Sequence, residues 1–145
     1  MYLKRLLDFT FSLCGIIILS PLLLLISILI LLSSGLPLFF VQKRVGQYGS
    51  LFDMKKFRTM VKGASNMMGG SITIKNDHRI TSIGKFIRKW KLDELPTLWY
   101  VIKGDMSLVG PRPDVPDYAD KLKGNDRRIL ELRPGITGPA TLKYA

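Results

Sequence analysis

The sequence is poor in the side chains and loops on which several common kinds of site are built. Its 145 residues include one cysteine, Cys14, and one histidine, His78. A single cysteine excludes an internal disulfide framework, and a single histidine excludes both a multi-histidine metal site and a Ser-His-Asp triad. The sequence also lacks a Walker phosphate loop, a G-x-G-x-x-G fingerprint, an H-E-x-x-H helix and an Asp-x-Asp pair.

Charge is missing from one long stretch and is of mostly one sign elsewhere. No charged residue occurs in the 34 residues from Phe9 to Gln42, whereas residues 43–145 hold 20 Lys/Arg and 10 Asp/Glu. An apolar N-terminal segment therefore precedes a basic body that carries +10 of the total charge of +11. The hydrophobic content of 47% excludes a disordered chain. The lone cysteine, inside the apolar segment, fits a body that faces a reducing cytosol.

The apolar segment is long enough to enter a membrane. Between Leu13 and Leu32, 16 of 20 residues are apolar, and a run of roughly 18 or more indicates a membrane helix. A secretory signal peptide has a shorter apolar core of about 7–15 residues. A buried core helix is disfavoured, because the remaining residues could hardly cover a run that is apolar on all sides.

Ser20-Pro21, near the middle of this run, predicts a break in the helix. Proline removes a backbone hydrogen bond, and a serine hydroxyl can satisfy the carbonyl that is released. Each arm would then be roughly 18 Å long at about 1.5 Å per residue, too short for a core of about 30 Å. Basic residues flank both ends, which favours entry and exit on the cytoplasmic side. A kinked helix that spans the bilayer is the alternative.

Two stretches of the body contain most of its motifs. Residues 40–60 read FVQKRVGQYGSLFDMKKFRTM, and Gly46 and Gly49 predict a short β-hairpin at the membrane surface, followed by a basic cluster. This cluster is either a face on anionic lipid or a binding site. Residues 77–113 then predict two short helices. Ile83, Phe86, Ile87 and Trp90 would form the apolar face of the first helix, and Gly104 would end the second.

The acidic pair Asp93-Glu94 lies between these two helices. One interpretation is a capped helix start, with Asp93 as N-cap and Pro96 in the first turn. The other is a reactive site, because acidic residues are scarce here and cations surround the pair. We expect those cations to keep the pKa of Asp93 low and the carboxylate ionised, as a nucleophile or a magnesium ligand requires.

Two proline-glycine turns follow. Gly110-Pro111-Arg112-Pro113 is rigid, and the planar fork of Arg112 suits phosphate binding. Arg133 to Gly138, RPGITG, is either a loop that closes over a ligand or a simple connection.

These strings, in this order, resemble the bacterial sugar transferases, the monotopic phosphoglycosyl transferases. The resemblance runs from about Lys4 to Gly138 and rests on KFRTM, DELP, GDMSLVGPRP and RPGITG. It implies an enzyme that moves a phosphosugar from a UDP-sugar to polyprenyl phosphate and releases UMP, initiating glycoconjugate and exopolysaccharide assembly. It places the enzyme on the cytoplasmic face of the bacterial inner membrane, with no nucleic-acid partner. Tyr100 and His78 depart from the usual family residues, asparagine and proline.

The resemblance also implies roles for individual residues. Asp93 would be the nucleophile that forms a covalent phosphosugar intermediate, with Glu94 assisting and Mg²⁺ bound by Asp93. The substrate phosphates would be bound by five basic residues: Lys56, Arg58, Arg79, Arg88 and Arg112. Ser20-Pro21 would be the break of a re-entrant membrane helix.

The predicted fold is mostly α with a small β element. It comprises a re-entrant membrane helix at 1–42 and a compact catalytic domain of short helices on the membrane surface at 43–145. Because family members usually continue beyond the last glycine turn, we expect the domain to be truncated at its C-terminus. Two other functions stay open at this point: the same reaction by direct attack of the lipid phosphate, and a non-enzymatic, membrane-tethered basic binding module. The sequence identifies neither the sugar nor the oligomeric state.

Overall fold

The computed structural model describes residues 2–64, 67, 77–119 and 121–138. Its α-helices are α1 (Tyr2–Ser34), α2 (Ser82–Lys89), α3 (Leu98–Lys103) and α4 (Pro116–Ala119). Its strands are β1 (Phe39–Val45), β2 (Leu51–Phe57), β3 (Ser107–Val109) and β4 (Gly135–Thr137), and 3-10 helices occupy Gln47–Gly49, Leu92–Thr97 and Gly124–Glu131. The chain is mostly helical, as predicted, with β1 paired to β2 and β3 parallel to β4.

The long helix α1 contains the whole apolar segment and is the one helix, among the described residues, with the length and composition to cross a membrane. The helix continues through Pro21, so the predicted break does not divide α1 into two separate helices. Pro21 cannot donate to the carbonyl of Ile17, one turn earlier. The Ser20 hydroxyl donates to that carbonyl instead, at 2.8 Å, which confirms the compensation expected of this serine.

Two compact units make up the chain. The first unit comprises residues 1–20, 41–55 and 97–145, and the second comprises residues 21–40 and 56–96. Each therefore combines one part of α1 with part of the basic body. The boundary within α1 falls between Ser20 and Pro21, and the predicted domain boundary at residue 42 stays a prediction.

Each unit has a small apolar core of its own. In the first, the buried residues come from β2, from α3 and from the connection between α3 and β3: Met54, Tyr100, Val101 and Met106. In the second, the last turns of α1 pack against β2 and α2 through Ile26, Ile30, Phe57 and Ile87. The C-terminal part of the apolar helix is thus held by burial of apolar side chains, each worth about 1.5–3 kcal/mol when fully removed from water.

The predicted hairpin is present as β1 and β2. Gly46 donates its amide to the carbonyl of Ser50 at 2.6 Å, and Gly49 has a left-handed backbone with φ of +81°. Glycine adopts that conformation at no steric cost, so Gly49 fits the turn that the glycine spacing predicted.

Helix α2 forms where the apolar spacing predicted it. Thr81 is its N-cap and accepts a hydrogen bond from the Gly84 amide at 2.9 Å. Ile87 is buried, whereas Phe86 and Trp90 are 58% and 63% exposed. Two residues of the predicted apolar face, Ile83 and Ile87, thus pack in the core of the second unit, and the two aromatic residues of that face are exposed.

The region from Asp93 to Thr137 differs from the prediction in two ways. The N-cap of α3 is Thr97, and Asp93 lies inside the preceding 3-10 helix, so Asp93 is not the N-cap. Gly104 ends α3 in a left-handed conformation, as predicted. The segment RPGITG, predicted as a loop or connection, contains β4, in which Gly135 pairs with Ser107 of β3.

Candidate active site

The carboxylates of Asp93 and Glu94 lie in the 3-10 helix Leu92–Thr97, and Lys91 directly precedes it. Lys91 has φ of +53°, which is uncommon for a residue with a side chain and costs roughly 1 kcal/mol. Its amide bonds to the carbonyl of Arg88 at 3.0 Å, and its carbonyl accepts from the Glu94 amide at 3.3 Å. This tight reversal brings the acidic pair directly after the basic end of α2.

Two of the five predicted phosphate-binding cations lie beside this pair. The Lys56 ammonium, at the end of β2, is 2.5 Å from Glu94 Oε1, and the two side chains are only 17% and 23% exposed. The Arg88 guanidinium donates to Thr59 Oγ1 at 2.7 Å, and its charge acts on Asp93. The second unit alone therefore assembles Asp93, Glu94, Lys56 and Arg88.

Burial raises the pKa of Asp93 above its ordinary value, and the neighbouring charge of Glu94 raises it further. The charges of Lys56 and Arg88 lower that pKa but do not outweigh the other two effects. The expectation of a low pKa was wrong, because it counted the surrounding cations and could not count burial. A carboxylate that holds its proton more tightly is also more basic, and therefore more nucleophilic, once it is ionised.

The two carboxylates have different surroundings. Glu94 is neutralised by Lys56, whereas no side chain of the described residues donates a hydrogen bond to Asp93. The described residues also contain no group of three or more His, Cys, Asp or Glu side chains that could enclose a metal. Magnesium does not need such a group, because one or two carboxylates suffice when waters and substrate phosphates supply the other ligands. The donor set fits that ion.

Arg58 is buried and binds the end of α1. Its Nη2 donates to the carbonyls of Ser34 and Gly35, at 2.7 Å each. It thereby caps the C-terminus of a long helix, where carbonyls are unsatisfied and positive charge is favoured. Its Nε and Nη1 are buried without a partner among the described residues. The structure therefore gives Arg58 a structural contact, and its role as a phosphate ligand stays a prediction.

Arg79 is 2% exposed and forms a bidentate ion pair with Asp77. Its Nε and Nη2 lie 2.9 and 2.7 Å from the two carboxylate oxygens, and its Nη1 donates to the carbonyl of Ala64 at 3.0 Å. This arrangement joins the chain on either side of residues 65–76. The pair holds the segment that leads into α2, and binding of a substrate phosphate by Arg79 also stays a prediction.

Arg112 belongs to the first unit, on the turn that follows β3, and its side chain is exposed. The structure thus brings four of the predicted residues together in the second unit and places Arg112 in the other one. Participation of Arg112 in the same site stays a prediction.

Sequence reasoning missed the contacts made by the first turns of α1. Arg5 donates to the carbonyls of Val101 and Ile102, in the last turn of α3, and Lys4 pairs with Asp8 at 3.1 Å. Asp8 in turn accepts from the Ser107 hydroxyl at 2.8 Å. Arg5 is therefore bound to the body, as is Lys4, which also donates to the Ser107 hydroxyl, beyond their role as flanking charges. The i, i+4 spacing of Lys4 and Asp8 was the one signal in the sequence.

An apolar helix joined to a basic body with a paired-carboxylate site defines a membrane-associated protein with a polar, cation-rich centre. The chain belongs to the bacterial sugar transferase family, whose model matches residues 1–145. This confirms the resemblance noted in the sequence.

Over the residues that align, several relatives are about 40% identical to this chain. It is 42% identical to a putative undecaprenyl-phosphate N-acetylgalactosaminyl 1-phosphate transferase of Bacillus subtilis, over 98% of this chain and 78% of the relative. It is 39% identical to the undecaprenyl-phosphate galactose phosphotransferase of Salmonella typhimurium, over 94% of this chain and 32% of the relative. A UDP-N-acetylgalactosamine-undecaprenyl-phosphate N-acetylgalactosaminephosphotransferase of Aeromonas hydrophila is 40% identical over 99% of this chain and 34% of its own length. The chain thus spans about a third of the latter two relatives.

Proposed function

We propose that this protein is a phosphoglycosyl transferase that moves a phosphosugar from a UDP-sugar to polyprenyl phosphate and releases UMP. Membership of the family supports this function, as do the names of the relatives, which specify undecaprenyl phosphate and sugar phosphates. The product, a lipid diphosphate-linked sugar, would initiate assembly of a glycoconjugate or exopolysaccharide.

The environment of Asp93 is the observation that carries this proposal. Its carboxylate is partly buried, its pKa is raised, and the neighbouring Glu94 is held by Lys56. A desolvated carboxylate beside cations combines a reactive oxygen with charges that attract anionic substrates. Structural ion-pair sites also perturb pKa values, but here the perturbed group is the one left without a side-chain donor among the described residues.

The reaction then proceeds in two displacements at one phosphorus atom. A carboxylate oxygen of Asp93 attacks the sugar-bearing phosphorus of the donor, an O–P bond forms, and the diphosphate bond breaks with its electron pair on UMP. An oxygen of polyprenyl phosphate attacks the same phosphorus, the bond to Asp93 breaks, and the carboxylate is regenerated. Two easier steps replace one difficult step.

Cations assist both displacements. Lys56 and Arg88, beside the acidic pair, would bind the substrate phosphates, and Arg112 would contribute from its turn. Asp93 would hold Mg²⁺, with Glu94 next to it, and the ion would neutralise charge on the diphosphate. Because the binding of an oxygen-ligated ion should raise the thermal stability of the protein itself, magnesium titration followed by unfolding tests this site without turnover.

Both ends of α1 would lie on the same side of the membrane. Its first turns bind the end of α3 through Arg5, and its last turn binds Arg58. Residues 43–145 contain no second long apolar run, so the chain does not cross the bilayer between these two contacts. A re-entrant path that begins and ends on the cytoplasmic face of the inner membrane satisfies both. Labelling of Tyr2→Cys and Lys43→Cys, each in a Cys14→Ser background, tests it, and reaction from opposite sides would exclude it.

The function is tested by UMP release from a panel of UDP-sugars with undecaprenyl phosphate. We expect one or a few donors to support turnover and Asp93→Asn to abolish it. Asp53→Asn, which neutralises an exposed carboxylate on β2, is the matched control and should retain activity. Failure of every donor, or full activity of Asp93→Asn, would exclude the proposal.

A further inference from the structure

The turn that carries Arg112 is held on one side by β4. Three backbone hydrogen bonds join the two segments: Ser107 to the carbonyl of Pro134 at 2.8 Å, Gly110 to that of Thr137 at 2.9 Å, and Gly135 to that of Pro111 at 2.7 Å. The last two of these bonds involve residues of the Gly110–Pro113 turn itself. The segment RPGITG is therefore a support for this turn.

Glycines allow the two backbones to approach without side chains between them. A Cβ atom on Gly135 would lie 2.1 Å from the Gly110 nitrogen, and one on Gly138 would lie 2.4 Å from the Gly110 carbonyl oxygen. A Cβ on Gly110 would lie 2.4 Å from the carbonyl of Arg133. These contacts are with backbone atoms, which cannot move aside as a flexible side chain can. The turn therefore has little freedom to shift toward β4.

The end of β1 holds the other side of the turn. Arg44 donates from Nη1 to the carbonyl of Pro113 at 3.1 Å and from Nη2 to Gln42 Oε1 at 2.7 Å. The next residue, Val45, donates its amide to the carbonyl of Asp114 at 2.9 Å. Arg44 is thus oriented by Gln42 and fixes the residue that directly follows Arg112.

The consequence is an exposed arginine on an immobilised backbone. Pro113 is buried whereas Arg112 is exposed, and the two prolines on either side of Arg112 fix their own φ angles. Both flanks of the turn are tied by hydrogen bonds. An arginine presented in this way loses less conformational freedom when it binds an anion, so more of its interaction energy is available for binding and orientation.

We propose that Arg44 is a positioning residue for the Gly110–Pro113 turn, and that it acts on phosphosugar transfer through Arg112 without touching substrate. The proposal rests on the function proposed above. It assigns a role to the basic end of β1, which lies outside the predicted phosphate-binding set.

Arg44→Gln, compared with Lys43→Gln, tests this role. Both variants remove one positive charge from β1. Of these two side chains, Lys43 is exposed, whereas Arg44 donates to the turn at Pro113. We expect Arg44→Gln to lower kcat/KM roughly ten- to a hundred-fold, the size of loss that misplacement of a binding group produces. Lys43→Gln should stay within about twofold of the unmodified protein.

Both variants are then measured in an Arg112→Ala background, because residues that act as one unit have non-additive effects. If Arg44 works through Arg112, the loss caused by Arg44→Gln shrinks to about twofold there. The same loss in both backgrounds, with an active unmodified protein, would overturn the positioning role while leaving the proposed function intact. Should Arg44→Gln fail to fold, Gln42→Ala removes only the group that orients the guanidinium and should show a smaller loss with the same dependence on Arg112.

A readout without turnover separates the two proposals. Amide hydrogen exchange at Gly110, Arg112 and Asp114 should be faster in Arg44→Gln than in Lys43→Gln, because the turn loses one of its supports. Equal exchange in the two variants overturns the positioning role, whether or not any UDP-sugar supports UMP release. Absence of UMP release with every UDP-sugar would instead count against the proposed function.

Discussion

Lys56→Met removes the ammonium that joins β2 to the acidic pair while keeping an unbranched apolar stem. In the unmodified protein the Lys56 ammonium lies 2.5 Å from Glu94 Oε1, and among the charges that lower the pKa of Asp93 it is the largest. The substitution therefore leaves two adjacent, partly buried carboxylates without their principal counter-charge. Lys55→Met is the matched control, since Lys55 is the exposed neighbour on the same strand.

The magnitude follows from the burial of the pair. Exposed ion pairs contribute about 0–1 kcal/mol, and loss of one partner from a fully buried pair costs about 3–5 kcal/mol. With side chains 17% and 23% exposed, this pair lies between those limits. Hydrogen bonds to charged groups contribute about 1.5–3 kcal/mol, so we expect Lys56→Met to lower the free energy of unfolding by about 2 kcal/mol. Lys55→Met should change it by less than about 0.5 kcal/mol.

The same substitution should shift the pH dependence of the reaction. Without Lys56 the pKa of Asp93 rises further, and the reaction requires its ionised form, so the acidic limb of kcat/KM moves to higher pH. Denaturant unfolding at neutral pH without magnesium gives the stability, and UMP release across a pH series gives the limb. Equal stabilities and equal limbs for Lys56→Met and Lys55→Met would refute the coupling of Lys56 to the acidic pair.

Three further substitutions have defined outcomes. Because the folded-state pKa of Asp93 is raised, the free energy of unfolding falls as pH rises from the ordinary pKa of 3.8 toward the raised one. Asp93→Asn should therefore be inactive yet more stable than the unmodified protein at neutral pH, and this advantage should be gone below about pH 4. Unfolding across a pH series checks this. Gly84→Ala should destabilise by about 1–3 kcal/mol instead of stabilising α2, since its Cβ would lie 2.0 Å from the carbonyl oxygen of Thr59, and a stabilised variant would contradict that contact. Tyr100→Phe should cost about 1–3 kcal/mol in denaturant unfolding, because the Tyr100 hydroxyl donates to the carbonyl of Asp53 at 2.6 Å and accepts from the Lys55 amide of β2 at 3.1 Å; an unchanged midpoint would contradict this role of the hydroxyl.

Local patterns predicted those parts of the fold that depend on local physics. The hairpin follows from Gly46 and Gly49, the end of α3 from Gly104, and the serine compensation at Pro21 from covalent chemistry alone. The pairing of β3 with β4 joins Ser107 to Gly135. Each of these strands has three residues, too few for an alternating pattern, so neither was visible in the sequence.

The candidate site could be located from the sequence, but its electrostatics could not. Scarce carboxylates amid cations indicated Asp93 and Glu94. The sign of the pKa shift of Asp93 depends on burial against charge, and burial is a property of the folded chain. The roles of the basic residues could not be assigned from the sequence either. Arg58, for example, has partners that lie 23 and 24 residues earlier in the chain. An arginine with such partners has the same appearance in a sequence as one that binds substrate.

A phosphosugar bound covalently to Asp93 would be detected by intact-protein mass spectrometry after incubation with a UDP-sugar donor and no acceptor lipid. We predict that the unmodified protein gains the mass of one phosphosugar, mapped to the peptide that contains Asp93. The added mass should be absent from Asp93→Asn and should be removed by added polyprenyl phosphate. A protein that releases UMP only when the acceptor is present, and never carries the added mass, would contradict the covalent step and favour direct attack by the lipid phosphate.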